Sequence, residues 1–371
     1  MTDIEALVGL NLVMDIGSIR LKRLLEVFGT PQNILRAGRD SLVCGCGIGA
    51  SIASKIVELK TGDIEREFKL AARDNIKILT GQSPEYPENL KFIPDPPIVL
   101  YLKGDILPGD SLGLAIVGSR RASLYGLTCA QKFAGELAES GFTVISGLAR
   151  GIDTAAHRGA LRSHGRTIAV IGSGLKNIYP QENRRLADEI ALNGAMLSEF
   201  PLQTRPLRQN FPRRNRVISG LSLGVLVVEA CRNSGALITA NFALDQGREV
   251  FCVPGRIDTM SSSGANAFIQ QGAKLAAGVG DILEEFPFFT APAGRKSQPA
   301  AAAGPVDKQG LSCAEELLYN IISSQPVSAD EVAQRSGLSF GKICAALLSL
   351  QLKKKIRSLA GRFFERTKNG G

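Results

Sequence analysis

Histidine is nearly missing from this chain, with two in 371 residues. His157 lies in a helical pattern among small neighbours and His164 near a helix end, so both are expected to pack or cap rather than act as a general base. Cysteine is sparse and unpatterned. The seven cysteines form an odd, scattered set, and Cys44 and Cys46 make a lone C-x-C with no second pair and no histidine nearby. That argues against zinc, and they are expected to be reduced core cysteines of a cytoplasmic protein. No metal site and no cofactor are expected. No stretch stays apolar for the roughly 18 residues a membrane span requires, so no membrane partner is expected. The start, Met1-Thr2-Asp3-Ile4-Glu5, is acidic and lacks the basic-then-apolar layout of a secretion signal.

What remains is ordinary in bulk and specific in detail. Hydrophobic residues make up 44% and charged residues 21%, as in a globular protein long enough for two or three domains. The net charge of +9 fits an anionic partner but does not choose which. Residues 1–80 show apolar spacing near 3.6, as in Ile19-Arg20-Leu21-Lys22-Arg23-Leu24-Leu25, and form a small all-α module. Within it, Gly45-Cys46-Gly47-Ile48-Gly49 has the layout of a helix-hairpin-helix turn, which aims amides at a DNA phosphate. A turn between two packed helices reads equally well, and Lys55 is the only strong cation near it.

Residues 81–287 form the central domain. Short apolar runs at about 98–102, 113–117, 142–145, 166–171, 195–198, 223–228 and 248–253 alternate with helical patterns, the signature of a parallel sheet in an α/β fold. Residues 288–310, rich in Ala, Pro and Gly, are a linker. Residues 311–371 hold three helical stretches and a basic hairpin, the winged-helix layout. The expected recognition helix carries Lys342 as its only cation, so this domain is read as a protein-contact module before a DNA-binding one.

The chemistry sits at the ends of the central strands. Ile116-Val117-Gly118-Ser119-Arg120, Val144-Ile145-Ser146-Gly147 and Ile171-Gly172-Ser173-Gly174-Leu175-Lys176 each run from a strand into small residues, and a basic residue follows closely in the first and third. Such loops form the ligand crevice of α/β sheets, with amides and helix N-termini able to meet an anion. A dinucleotide is disfavoured, because the G-x-G-x-x-G spacing and the ribose-holding acid are missing. Arg120 suits bidentate phosphate contact. Lys176 and Tyr179 put a cation and an aromatic face in one loop, which suits a single strand whose bases are unstacked. Arg213, Arg214 and Asn215 open the next helix, with Arg213 and Arg216 expected on one side and Arg214 facing elsewhere. One or two of these arginines are expected to reach the crevice, with Arg213, Arg214 and Asn215 as DNA-binding residues, and another is expected to pair with Glu229 or Glu199. Ser234 and Gly235 offer another helix start. Glu229, at a strand end, is expected to orient an arginine, since no second carboxylate or histidine is placed to share catalysis.

These motifs together resemble the bacterial DNA-processing protein A (DprA, or Smf) family. The resemblance runs through Ser146-Gly147-Leu148-Ala149-Arg150-Gly151-Ile152-Asp153-Thr154-Ala155-Ala156-His157, through Tyr179-Pro180, and through Phe211-Pro212-Arg213-Arg214-Asn215-Arg216-Val217-Ile218-Ser219-Gly220. It continues to Val253-Pro254-Gly255 and covers roughly residues 85–285. It implies an extended Rossmann-like domain that binds single-stranded DNA and dimerises, with no catalytic activity. It also implies a role in natural transformation, protecting incoming strands and loading the recombinase RecA past single-strand-binding protein. By motif position, Arg120 and Lys176 would be the principal phosphate contacts, Gly118, Ser119, Gly172, Ser173 and Gly174 would line the pocket, and Tyr179 would meet a base. The central pattern is also similar to nucleotide phosphoribohydrolases, but Asn233–Ala240 lacks the glutamate of their P-G-G-x-G-T-x-x-E run.

Overall fold

The computed structural model describes residues 1–13, 15–286, 311–322, 327–336, 338, 340–353, 355–359 and 363–366. The linker expected at 288–310 lies outside them. Two units emerge, Met1–Ala277 and Gly278–Gly371.

The first unit opens with six helices, α1 (Asp3–Leu12), α2 (Ser18–Phe28), α3 (Pro31–Arg36), α4 (Arg39–Cys46), α5 (Ala50–Val57) and α6 (Thr61–Arg73). Thr2 and Glu5 close a reciprocal capping box at the start of α1, with Glu5 N–H donating to Thr2 Oγ1 at 3.3 Å and Thr2 N–H to Glu5 Oε2 at 2.7 Å. Gly47, at φ +62°, makes the left-handed turn between α4 and α5, a conformation that glycine adopts without strain. Lys55, the cation beside that turn, is held by Asp15 at 2.6 Å, which leaves the packed-helix reading of the glycine turn the better supported one.

The sheet follows: β1 (Lys77–Thr80), β2 (Val99–Gly104), β3 (Gly113–Val117), β4 (Thr143–Ser146), β5 (Thr167–Val170), β6 (Ala195–Ser198), β7 (Gly224–Val227), β8 (Glu249–Cys252) and β9 (Lys274–Leu275). Their spatial order is β1-β2-β6-β5-β4-β3-β7-β8-β9. The seven strands from β6 to β9 run parallel, and β2 joins β1 and β6 antiparallel. The sheet therefore begins at Lys77, and the helical module ends at α6, a few residues ahead of the boundary expected at 80.

Helices α7 (Glu88–Lys91), α8 (Leu124–Glu139), α9 (Ile152–Arg162), α10 (Arg184–Asn193), α11 (Asn210–Leu221), α12 (Gly235–Asp245) and α13 (Ser263–Gln270) connect the strands. Side chains alternate across the parallel strands. Ala115, Val117, Ile145 and Val170 pack with Val217, Leu221 and Ala240 of α11 and α12 on one face. Ala169 and Met196 pack with Leu186 and Ile190 of α10, and with Ile64 of α6, on the other. After β3 the chain steps to one side through β4, β5 and β6, and then returns through α11 to β7 on the other side. This is the reversal at which α/β sheets open a crevice.

The second unit holds α14 (Val279–Leu283), α15 (Cys313–Ile321), α16 (Ala329–Ser336) and α17 (Phe340–Leu352). A small sheet joins β10 (Val327–Ser328), β12 (Phe363–Arg366) and β11 (Ile356–Leu359) in that order. Leu318, Ile322, Val332, Leu347, Leu350 and Phe364 form its own core. Part of the hairpin's basic charge is tied up within the domain, while Lys355 stays exposed with no ion pair among the described residues. Arg366 lies 4.2 Å over the Tyr319 ring and donates to the Tyr319 and Ile322 carbonyls, Lys353 pairs with Glu315, and Arg357 pairs with Glu365.

Candidate nucleic-acid interface

The loop after β3 is locked from below. Ser119 N–H donates to the Glu229 carbonyl at 2.7 Å, and Arg121 N–H donates to Ser119 Oγ at 3.1 Å. The buried Glu229 carboxylate accepts from both the N–H and the hydroxyl of Ser123, at 3.1 and 2.8 Å. Ser123 in turn caps α8 through Gly126 N–H. A carboxylate against a helix N-terminus is favoured by the aligned peptide dipoles. Glu229 thus orients a loop and a helix start, not the arginine expected of it, and its oxygens are already engaged.

The other strand-end loops are closed in the same way. Gly147 N–H and Ala149 N–H both donate to Asp153 Oδ2, at 3.1 and 3.3 Å. Gly174 N–H goes to the Thr204 carbonyl and Lys176 N–H to the Leu202 carbonyl. These amides serve the fold, so the expectation that they would cradle an anion is not met by the geometry. Ser146 is fully buried and its hydroxyl donates to the Ile116 carbonyl at 2.7 Å. Ser173 is also buried, with its hydroxyl on the Asn177 carbonyl at 2.6 Å, and a side chain on Gly174 would collide with the Pro201 carbonyl. None of these three has surface for a ligand.

The arginines of α11 divide by depth. Arg214 runs beneath the crevice floor, where its guanidinium donates to the Gly147 carbonyl at 2.6 Å and to the Val170 carbonyl. A side chain on Gly147 would occupy its place, at 2.6 Å from the guanidinium. Burial brings the Arg214 guanidinium down to about 10, and burial likewise raises the Asp153 carboxyl beside it. Arg214 is therefore a floor clamp that ties β4 to β5. Asn215 accepts from Arg214 Nε at 3.2 Å and donates to the Gly235 carbonyl at 3.2 Å, which fastens α11 to the start of α12. Arg216 is buried against Glu199 and Asp95, as one arginine of the run was expected to be, and Arg213 lies 5.4 Å over the Phe200 ring.

What faces outward is a cavity of about 650 Å³ between the ends of β3 and β7. Gly118, Ser119, Arg120, Tyr179, Ser234 and Gly235 line it, with Phe211 and Arg208. Ser234 Oγ caps α12 at Ala236 N–H, and Gly235 is exposed with open space beside its Cα. Gly172 backs the cavity, since a side chain there would press on the Phe211 ring at 2.9 Å. The Arg120 guanidinium stands 5.0 Å above the Phe211 ring, and the exposed Tyr179 ring is tilted against the same phenylalanine, centroids 6.0 Å apart. Phe211 is a site residue that the sequence reading passed over. Its signal was an aromatic immediately before the Pro-Arg-Arg-Asn-Arg helix start. Lys176 lies in an adjoining groove rather than in this cavity, and pairs there with Asp74 at the end of α6.

Among the described residues, no three His, Cys, Asp or Glu side chains gather to hold a metal ion, and no helix is long and apolar enough to cross a membrane.

Comparison with known proteins then decides the family. The profile described as DNA recombination-mediator protein A matches residues 77–287, and that of the DprA winged helix domain matches residues 298–362. The chain belongs to the DNA recombination-mediator protein A family. It is 40% identical to Protein Smf of Escherichia coli over 320 residues, 85% of this chain and 84% of that protein. It is 38% identical to the DNA processing protein DprA of Streptococcus pneumoniae over 270 residues, 72% of this chain and 94% of the relative. The X-ray structure of S. pneumoniae DprA superposes with a TM-score of 0.67 at 35% identity, covering 77% of this chain and 98% of that one. A DprA structure from Helicobacter pylori, described for its single-stranded DNA binding mode, gives 0.52 at 31% identity over 57% of this chain and 95% of that one. The DprA fold of a Rossmann-like parallel sheet with helical and winged-helix companions is therefore this chain's fold.

Proposed function

We propose that the cavity between β3 and β7 binds single-stranded DNA, with Arg120 on a phosphate and the Phe211–Tyr179 pair stacking bases. The observation that carries this reading is the Arg120–Phe211–Tyr179 cluster at the cavity mouth. A guanidinium poised over one aromatic ring beside a second, exposed ring supplies charge and stacking faces together, as an unstacked strand requires. The H. pylori relative with a described single-stranded DNA binding mode supports the same ligand. Gly118, Ser119, Ser234 and Gly235 give the strand close approach, while Gly147, Gly172, Ser173, Arg214 and Asn215 hold the shape beneath it.

From family membership we extend the reading to a recombination mediator acting in natural transformation, as a cytoplasmic homodimer without catalytic activity. It would hold incoming strands and load RecA onto them in the presence of single-strand-binding protein. Binding is tested by anisotropy of labelled oligo-dT with wild type, Arg120→Ala and Phe211→Ala. Loss of one stacked base is expected to weaken binding by about tenfold, from ~1–3 kcal/mol per base. Loss of one phosphate contact should lower the log–log salt slope by about 0.7. Wild-type affinity in both variants overturns the reading. Recombinase assembly on strands coated with single-strand-binding protein, with and without this chain, tests the loading role.

A further inference from the structure

The cavity does not end at Tyr179. A second, larger groove of about 970 Å³ opens on the far side of that ring, and Tyr179 and Pro206 line both hollows. Its floor is apolar, with Leu175, Ile178 and Met196. Its rim carries four cations, Arg73, Lys103, Lys176 and Arg184, against two carboxylates, Asp74 and Asp188. Asp74 takes Arg73 and Lys176, and Asp188 takes Lys103 at 3.1 Å. Arg184, at the start of α10, is exposed and forms no ion pair among the described residues. The groove is thus net positive, and its unpaired charge lines the same hollow as the aromatic ring shared with the cavity. The Lys103 side chain is 42% and that of Asp188 61% exposed, and solvent-reached pairs contribute ~1 kcal/mol or less, so a phosphate can displace them.

We propose that a bound single strand continues over Tyr179 into this second groove, where Arg184 takes a phosphate and the apolar floor takes a base. The proposal rests on the single-strand reading of the first cavity and lengthens it. A continuous path with cations on the rim and a ring at the junction matches a polymer of phosphates and bases. The two hollows then divide the footprint: Arg120 and Phe211 read the first nucleotides and Arg184 the later ones.

The test uses the full-length protein and labelled oligo-dT of about six and about twenty nucleotides, spanning the site sizes of single-strand grooves. Arg184→Ala is expected to leave the short oligonucleotide at wild-type affinity. It should weaken the long one by about three- to tenfold and lower its salt slope by about 0.7. Arg120→Ala should weaken both lengths. If Arg184→Ala binds both lengths like wild type, the extension is overturned while the loss in Arg120→Ala keeps the first cavity as a site. Equal loss on both lengths overturns the two-part path. If Arg120→Ala binds both like wild type, the cavity reading falls, and the extension with it. Thermal melting of each variant verifies its fold, and Arg184, being exposed, is expected to melt as wild type.

Discussion

His157 shows how one buried side chain sets a pH limit for the whole fold. It is fully buried on α9, and its Nδ1 lies 2.7 Å from Thr167 Oγ1. That hydroxyl donates its one proton to the Val144 carbonyl at 2.8 Å, so it must accept from Nδ1–H, and Nε2 is left as an unprotonated nitrogen without a partner. Burial, reinforced by Arg214, pushes the imidazole down to about 3. A base with a depressed pKa contributes stability that is complete above its unfolded value near 6.5 and is lost as pH falls towards 3. Within that window the loss approaches about 1.4 kcal/mol per pH unit. His157→Gln is therefore expected to lose stability less steeply than wild type between neutral and acid pH, as read by urea midpoints across the range. Parallel curves for the two proteins would contradict it. The same burial logic explains which site residues the sequence could reveal. Arg120 and Tyr179 follow small-residue loops and do face solvent. Ser146, Ser173 and Arg214 have equally suitable chemistry but spend it on the carbonyls of Ile116, Asn177, Gly147 and Val170 beneath the surface, and residue type alone carries no sign of depth.

Elements that are buried on both faces announce themselves, and edges do not. Leu114-Ala115-Ile116-Val117 and Val225-Leu226-Val227 are central parallel strands and read as unbroken apolar runs. Lys77-Ile78-Leu79-Thr80 is an edge strand of four residues beginning with a lysine, and Lys274-Leu275 is a two-residue bridge, so neither stood out from its surroundings. The coupling between elements was also invisible, because it joins residues far apart in sequence. Glu229 at the end of β7 holds Ser123, and through it the start of α8, across 106 positions. Glu229→Gln removes the charge that strengthens those bonds and sets an amide against the Ser123 N–H. The expected cost is about 1–3 kcal/mol of folding stability, with weaker oligo-dT binding as the Gly118–Arg121 loop loosens. Chemical denaturation beside binding measures both, and an unchanged unfolding midpoint would show that the carboxylate is not a brace. Incubation with AMP-type nucleotides adds a chemical readout: base release dependent on Glu229 would restore the hydrolase alternative.

At the scale of the whole molecule, charge is distributed unequally in its availability. The first unit keeps the cations Arg120, Arg208 and Arg184 exposed, without ion pairs among the described residues, beside aromatic and apolar surface. Of the described cations of the winged-helix hairpin, Lys353 pairs with Glu315, Arg357 with Glu365, and Arg366 with the Tyr319 ring and two carbonyls of the first helix, which leaves Lys355 exposed with no ion pair among the described residues. On α17 the exposed cation is Lys342. Each unit also has a core of its own, and the residues that line the cavity all belong to the first. A chain ending at Phe286 is therefore expected to bind oligo-dT within about twofold of the full-length affinity and with nearly the same salt slope, because the slope counts phosphate contacts and the contacts stay. Binding isotherms of the two proteins at several salt concentrations make the comparison. A truncated protein that melts normally but has lost most of its affinity, with a slope lower by several units, would move the principal DNA contacts to the winged helix.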